Sequence, residues 1–128
     1  TMADQWRLTA NITSDVNPIA SNLERVDDPS FGYNGTGMSV SSGTWSFPTT
    51  GLYMIKTDIA GAIDGDDNVR IDVFATTNNS SYDQLSYAFA GANGGSTGNT
   101  ANTTNYINVT NVSNVKLRSP FAITNSAK

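Results

Sequence analysis

The chain has 128 residues, 38% of them apolar, and a formal net charge of −4, which suits one domain with a single core. Seven Lys and Arg scattered through an acidic chain repel phosphate, so we expect no nucleic-acid partner. The sequence contains no Cys and no His, which excludes disulfides, thiolate zinc sites and a Ser–His–Asp triad. No apolar run reaches the length of a membrane-spanning helix, so we expect no membrane insertion.

Composition also indicates the type of secondary structure. Asn, Ser and Thr account for 45 of the 128 residues, and all three favour turns or strands over helix interiors. No segment keeps apolar residues at helical spacing for ten positions. The nearest attempt, Ile19–Val26, runs into Asp27-Asp28-Pro29 and is interpreted as a turn or a short extended piece.

The predicted strands follow one another at the spacing of an all-β sandwich. Gln5–Ile12 alternates, with Trp6, Leu8, Ala10 and Ile12 on one face. Further strands are predicted at Thr44–Phe47, Leu52–Ala60, Val69–Ala75, Leu85–Ala90, Tyr106–Val109 and Asn114–Arg118, with an extension of the last to Ile123 left open. The Gly/Asn/Thr-rich segment Ala92–Thr104 predicts a mobile loop. With no helices for parallel crossovers, the sheets are expected to be antiparallel.

A stretch in the middle of the chain resembles a known family. Phe31-Gly-Tyr33 and then Gly43–Ile55 are similar to the signature of the complement 1q globular head and tumour necrosis factor superfamily. Phe47, Pro48, Gly51 and Tyr53 match that signature position for position. The opening Asp4–Leu8 is similar to such domains in structural proteins of marine bacteriophages. The resemblance implies an antiparallel two-sheet jelly roll that assembles as a homotrimer.

The end of the chain departs from the family pattern. Family members finish with an aromatic-rich strand after another loop, whereas this sequence ends at Pro120–Lys128. Either Phe121–Thr124 serves as that strand or the strand is missing. A missing strand would leave a sheet edge open and would indicate a truncated chain or a donated strand. We therefore expect a single domain over residues 1–128, with its final strand in question.

The strongest predicted strand carries apolar residues on both faces. Tyr53 and Ile55 share one face, which we expect to point into the sandwich, and Leu52 and Met54 share the other. The opposing sheet covers only one face of this strand, so another structural element must cover Leu52 and Met54 on the other face. The resemblance implies that three subunits meet there, near a threefold axis. The alternative is that a loop of the same chain covers them.

The acidic turn Asp64-Gly-Asp-Asp-Asn68 is the one candidate metal site. The carboxylates of Asp64, Asp66 and Asp67 are oxygen ligands of the type calcium prefers. The alternative, which we favour, is a solvated hairpin turn whose acidic residues aid solubility. Apart from calcium, no cofactor is expected.

Contacts with a partner are expected from polar loops at one end of the trimer. These loops are Asp27–Met38, Asp64–Asn68, Thr76–Gln84 and Ala92–Asn105. The aromatic residues Phe31, Tyr33, Tyr82 and Tyr87 lie in or near loops and suit stacking on sugars, although packing against the domain is the simpler interpretation.

Three functions are compatible with the sequence. The first is a non-enzymatic trimeric binding or structural module of a phage virion, such as a tail, fibre or decoration protein, or a surface-recognition head. The second is a secreted cellular ligand or carbohydrate-binding module of the same fold. The third is a hydrolase that uses Glu24 with Asp27 or Asp28, but these carboxylates lie in a predicted turn with no evident pocket. The first two place the protein on a virion or outside cells, with itself and a cell-surface glycan or protein as partners.

Overall fold

The computed structural model describes residues 2–28, 32–64, 67–91 and 96–125, and within these ranges the chain forms strands, turns and loops but no helix. No helix that could span a membrane is present in the described part of the chain. Ten strands follow in chain order: β1 Trp6–Leu8, β2 Leu23–Arg25, β3 Ser39–Ser41, β4 Thr44–Ser46, β5 Gly51–Asp64, β6 Asp67–Thr76, β7 Asp83–Gly91, β8 Ser96–Val109, β9 Lys116–Arg118 and β10 Phe121–Asn125.

The strands form two layers with antiparallel pairing throughout. The larger sheet has six strands, in which β3, β4, β9 and β6 are successive neighbours. β7 pairs with one edge of β6, so β9 and β10 share the other edge, opposite Phe74–Thr76 and Asp67–Ile71 respectively. The second layer contains the long pair β5–β8 and, separately, the short pair β1–β2.

The sequence-based prediction of a mobile loop over 92–104 is wrong for most of that segment. β8 begins at Ser96 and pairs with β5 without interruption, from Asp64↔Ser96 to Gly51↔Val109. The Thr and Asn residues that suggested a loop are compatible with a strand once a long partner satisfies their backbone groups. The predicted strand Tyr106–Val109 is therefore the final part of β8.

Two further elements differ from expectation. The first strand was predicted over Gln5–Ile12, but its ladder is limited to Trp6–Leu8, because its partner β2 is equally short. Leu8 and Ala10 are exposed rather than buried. The polar segment Ser39–Ser41, which sequence patterning overlooked, forms β3 because the turn at Ser42-Gly43 folds it onto β4.

Two glycines are required by the backbone. Ser42 and Gly43 both have positive φ, 50° and 79°, as in the tight two-residue turns that join paired strands. A Cβ on Gly43 would also lie 2.6 Å from the Ile19 carbonyl oxygen. Gly51, at the start of β5, has φ 145°, a conformation that L residues avoid. Gly51 therefore allows the chain to enter β5 in the register that separates its two faces.

The core lies between the layers in two clusters. One cluster is centred on β4, β8 and β9, and its buried members are Phe47, Val73, Ile107, Val109, Val115 and Leu117. The other is centred on β6, β7 and β10, with buried Ile19, Val69, Ile71, Ala88, Ala90 and Phe121. Tyr53, Ile55 and Ile59 of β5 are half-buried against these clusters. The inward face of β5 thus packs against the core.

Candidate functional site

The outward face of the β5–β8 pair carries an exposed apolar surface at one end. Leu52 is 71% exposed and Met54 61%, and both lie on the face opposite Tyr53 and Ile55, as the alternation predicted. Tyr106 of β8 is directly opposite Met54 and is 69% exposed. We call Leu52, Met54 and Tyr106 the outer patch. No loop in the described residues covers these side chains.

The outer patch has a charged boundary further along β5. Lys56 and Asp58 occupy the next two outward positions, and the Lys56 ammonium donates to both carboxylate oxygens of Asp58 at 3.0 and 2.9 Å. An exposed ion pair of this kind contributes little to stability and stays hydrated. The apolar part of the face therefore ends near Met54, at the half of the sheet that begins with Gly51.

A second apolar surface lies on β7. Leu85, Tyr87 and Phe89 are all exposed, and we call them the β7 ridge. The Tyr87 and Phe89 rings stack with centroids 6.0 Å apart, and the Arg70 guanidinium lies 4.0 Å from the Tyr87 centroid. Asp72 accepts from Arg70 at 2.8 Å and from Gln84 at 3.1 Å, which fixes Arg70 over the ring. The β7 ridge is thus an ordered aromatic surface and not a loose edge.

A buried ion pair anchors the amino-terminal segment. The Asp4 side chain is 3% exposed and accepts hydrogen bonds from Arg25 Nε at 2.9 Å, Trp6 Nε1 at 2.9 Å and the Met38 amide at 2.7 Å. Burial raises the pKa of Asp4, but the donors from Arg25, Trp6 and Met38 outweigh it and hold the pKa below its ordinary value. The carboxylate therefore stays ionised and joins β1, β2 and the chain before β3.

Aromatic rings enclose the arginine of this ion pair. The Arg25 guanidinium lies 4.7 Å from the Trp6 centroid and 4.6 Å from that of Tyr33, and Trp6 makes an edge contact with Trp45 at 5.0 Å. Arg25 also donates to the Met38 carbonyl. The Asp4–Arg25 pair was not among the sequence-predicted sites, because 21 residues separate its members and no local motif marks them.

The aromatic residues proposed for sugar stacking are mostly engaged within the chain. Tyr33 packs on Arg25, and Tyr82 lies under Arg118, whose guanidinium is 4.2 Å from its ring. Tyr87 belongs to β7 and not to a loop. Phe31 lies outside the described residues. Of the three that the structure describes, Tyr87 is the most exposed, at 49%, and it lies on the β7 ridge.

The remaining sequence candidates are carboxylates. Asp66 lies outside the described residues, and so do the side chains of Asp64 and Asp67, so calcium at this turn stays a prediction. Glu24 is exposed and pairs with Arg7 at 3.4 Å. Among the described residues no group of three or more Asp, Glu, His or Cys side chains is placed to hold a metal ion.

The structural signature residues surround the start of β5. Phe47 is buried, and its ring centroid lies 4.7 Å from that of Tyr53. The Tyr53 hydroxyl donates to the Thr49 carbonyl at 2.9 Å across the turn that contains Pro48 and Gly51. These contacts set the direction of β5, and with it which side chains form the outer patch.

Comparison with known proteins defines the class of fold. Murine APRIL, a tumour necrosis factor-family ligand solved as a crystal structure at pH 5.0, matches with a TM-score of 0.67. The match covers 94% of this chain and 84% of that chain at 13% sequence identity. No protein-family model and no curated protein matches the sequence. The protein is therefore a β sandwich of the tumour necrosis factor-like jelly-roll type.

Proposed function

We propose that the protein is a non-enzymatic binding module that assembles as a homotrimer and acts as a secreted ligand. The observation that carries this proposal is the outer patch. Leu52, Met54 and Tyr106 expose three large apolar side chains together on a sheet face with no covering element in the described residues. Apolar surfaces of this kind on soluble proteins are typical of interaction sites.

The positions of the two apolar surfaces favour assembly of the subunits into a closed ring. The outer patch lies on the two-stranded sheet, whereas the β7 ridge lies on an edge strand of the six-stranded sheet. An interface that joins two different patches is heterologous, and it closes into a ring when the rotation allows. In such a ring of three copies, the β7 ridge of each subunit would contact the outer patch of the next. Both surfaces would then be buried in every subunit.

The ligand interpretation is better supported than the virion interpretation. The matched structure is a ligand of the tumour necrosis factor family, and its likeness extends over nearly the whole of this chain. The comparisons do not show a link to a phage protein. The candidate hydrolase residue Glu24 also favours binding over catalysis. Its exposed carboxylate pairs with Arg7, whereas a hydrolase would need it to face a second carboxylate in a pocket.

A receptor or glycan would meet the connections between strands. Of the four loops predicted from the sequence, Asp27–Met38 and Thr76–Gln84 consist largely of non-strand residues in the structure. In the second, the Asn78 side-chain oxygen accepts from the amides of Ser80 and Ser81, both at 2.9 Å. Such a preformed polar turn can offer hydrogen bonds to a partner with little ordering cost.

The test is the mass of the protein in solution. Light scattering on the wild type is expected to give three times the chain mass at micromolar concentration. Leu52→Asp and Met54→Asp place a charge in each copy of the interface, at roughly 2 kcal/mol or more per contact, and should yield monomers. Ser80→Asp is the matched control and should leave the trimer intact, because Ser80 is exposed in the Thr76–Gln84 loop, outside both the outer patch and the β7 ridge.

Two results would contradict the proposal. A wild-type protein that runs as a monomer at micromolar concentration leaves the outer patch without its proposed role. A trimer that survives Leu52→Asp and Met54→Asp unchanged would show that the subunits meet through another surface.

A further inference from the structure

Two neighbouring cations on β9 lack the acidic partner that the other described cations have. Lys116 and Arg118 have no carboxylate within ion-pair distance in the part of the chain that the structure describes. The two unpaired charges lie together although the chain as a whole is acidic, with a formal net charge of −4. The other described Lys and Arg side chains each pair with a carboxylate, at 2.8 to 3.4 Å: Arg7, Arg25, Lys56 and Arg70.

Lys116 and Arg118 lie on the outward face of the six-stranded sheet. Leu117 between them is buried in the core, so the alternation of the strand points both of its neighbours outward. Their Cα atoms are about 7 Å apart, the distance that two residues span along a strand. Both residues are half-buried, and a partly dehydrated charge gains more from a counter-charge than a fully exposed one does.

The partners that these two cations do have are hydroxyl groups on β4. The Lys116 ammonium donates to Ser46 Oγ at 3.0 Å, and Arg118 Nε donates to Thr44 Oγ1 at 3.1 Å. These bonds use one of the three N–H groups of the lysine and one of the five of the arginine. A hydroxyl that accepts a hydrogen bond can still donate its own proton, so the two hydroxyls add further donors.

The surroundings orient the arginine and supply more hydroxyls. The Arg118 guanidinium lies over the Tyr82 ring, 4.2 Å from its centroid, and a stacked guanidinium keeps its edge free for a bidentate acceptor. On β3, Ser39 and Ser41 lie opposite the two hydroxyl residues of β4, and residues directly opposite in an antiparallel pair share a face. We define the β9 cation site by four residues: Lys116, Arg118, Thr44 and Ser46.

The donors and their spacing define the ligand. Carboxylates are the acceptors that fit the edge of a guanidinium and an ammonium with free N–H groups. Alternate residues of an extended peptide are also about 7 Å apart and share a face, so acidic side chains at positions i and i+2 match the two cations. A long polyanion fits less well, because the net charge of −4 repels it beyond the site.

We propose that the β9 cation site binds an acidic, extended segment of a partner protein through two carboxylates that are two residues apart. One carboxylate contacts the Arg118 guanidinium and the other contacts the Lys116 ammonium. The inference rests on the binding role proposed above and names the chemistry of one partner. It does not require the trimer, because both cations and both hydroxyls belong to a single chain.

A terminally blocked synthetic peptide provides the probe. Gly-Thr-Asp-Thr-Asp-Thr-Gly carries its carboxylates two residues apart, whereas Gly-Thr-Asp-Asp-Thr-Thr-Gly has the same composition with adjacent carboxylates, which point to opposite sides of an extended chain. Each peptide is titrated into isotope-labelled protein at constant ionic strength, and NMR follows the backbone amides and the Arg118 Nε–H resonance. The first peptide should shift resonances of β4 and β9 saturably and bind about fivefold more tightly than the second, which can reach one cation only.

Charge-neutralising variants locate the binding. Lys116→Gln and Arg118→Gln each remove one cation and keep a long polar side chain, and each should weaken binding of the first peptide about fivefold. Lys56→Gln is the matched control, because it removes the same charge from a lysine of the other layer that already pairs with Asp58, and it should leave binding unchanged. Leu52→Asp, which is expected to prevent trimer formation, should bind the peptide as the wild type does.

Several outcomes would overturn the proposal. It fails if both peptides bind alike, if neither saturates, or if the shifted resonances lie outside β4 and β9. It also fails if Lys56→Gln weakens binding as much as Lys116→Gln does, since attraction by net charge alone would then explain the result. Sialyllactose that shifts the same resonances at a lower concentration than the peptide would make a glycan the partner. A monomeric wild type that binds the first peptide would support this inference and contradict the trimer alone.

Discussion

Two regions in the amino-terminal half of the chain differ in how their side chains are covered. Around β1, the Asp4–Arg25 pair is enclosed by aromatic rings and finds all its partners within the chain. On the outward face of β5, Leu52 and Met54 have no covering element among the described residues. The first arrangement stabilises the folded monomer. The second contributes little to folding, because side chains that stay in water gain almost nothing from the folded state. The region that stabilises the folded monomer is therefore separate from the region that we propose for assembly.

The largest expected effect comes from removing the buried carboxylate. Asp4→Ala leaves the Arg25 guanidinium, the Trp6 indole and the Met38 amide without their acceptor, at a cost of about 4 kcal/mol in the free energy of unfolding. Asp58→Ala is the matched control: Asp58 also pairs at 2.9 Å but is 59% exposed, so its loss should cost less than about 0.5 kcal/mol. Urea unfolding of both variants measures the difference. Equal losses would remove the contrast between the buried pair and the exposed one.

Two neighbouring residues of β5 give the next largest contrast. Tyr53→Ala empties a site packed against Phe47 and removes the bond to Thr49, and should cost about 3 kcal/mol. Leu52→Ala, one position earlier on the exposed face, should change the unfolding free energy of the monomer by less than about 0.5 kcal/mol. Denaturation is best followed at concentrations below the onset of association. A loss below about 1 kcal/mol for Tyr53→Ala would contradict its inward orientation.

The smallest effect is a pH dependence that the Asp4 site confers. Because its pKa in the folded protein lies below the ordinary value of 3.8, Asp4 contributes stability that is fully present above that value. This contribution is lost as the pH falls through the folded pKa, so the window lies below about pH 4. Urea midpoints of the wild type and Asp4→Asn should differ by a constant amount between pH 7 and 5 and converge below pH 4. Parallel curves down to pH 2 would show that Asp4 has no depressed pKa.

The assembly experiment sharpens the same comparison. Leu52→Asp should separate the proposed subunits without unfolding them, whereas Asp4→Ala should lower the free energy of unfolding of each subunit.

Much of the fold could be predicted from local pattern. The alternation over Leu52–Ala60 determined β5 and which side chains share a face, because the direction of a side chain in a strand depends on its own position alone. The Pro48–Gly51 turn and the absence of helical spacing can also be predicted from short segments of the sequence. The sheet class, the inward direction of Tyr53 and the exposure of Leu52 and Met54 all follow from these features.

The tertiary structure decided what depends on partners distant in sequence. Ser96–Thr104 is a strand because β5 offers it a complete ladder, although its composition indicates a loop. Asp4 is a structural anchor because folding brings Arg25 and Met38 to it, and Tyr106 joins the outer patch through its register opposite Met54. Pairing and register are properties of two segments at once, and neither segment encodes them alone.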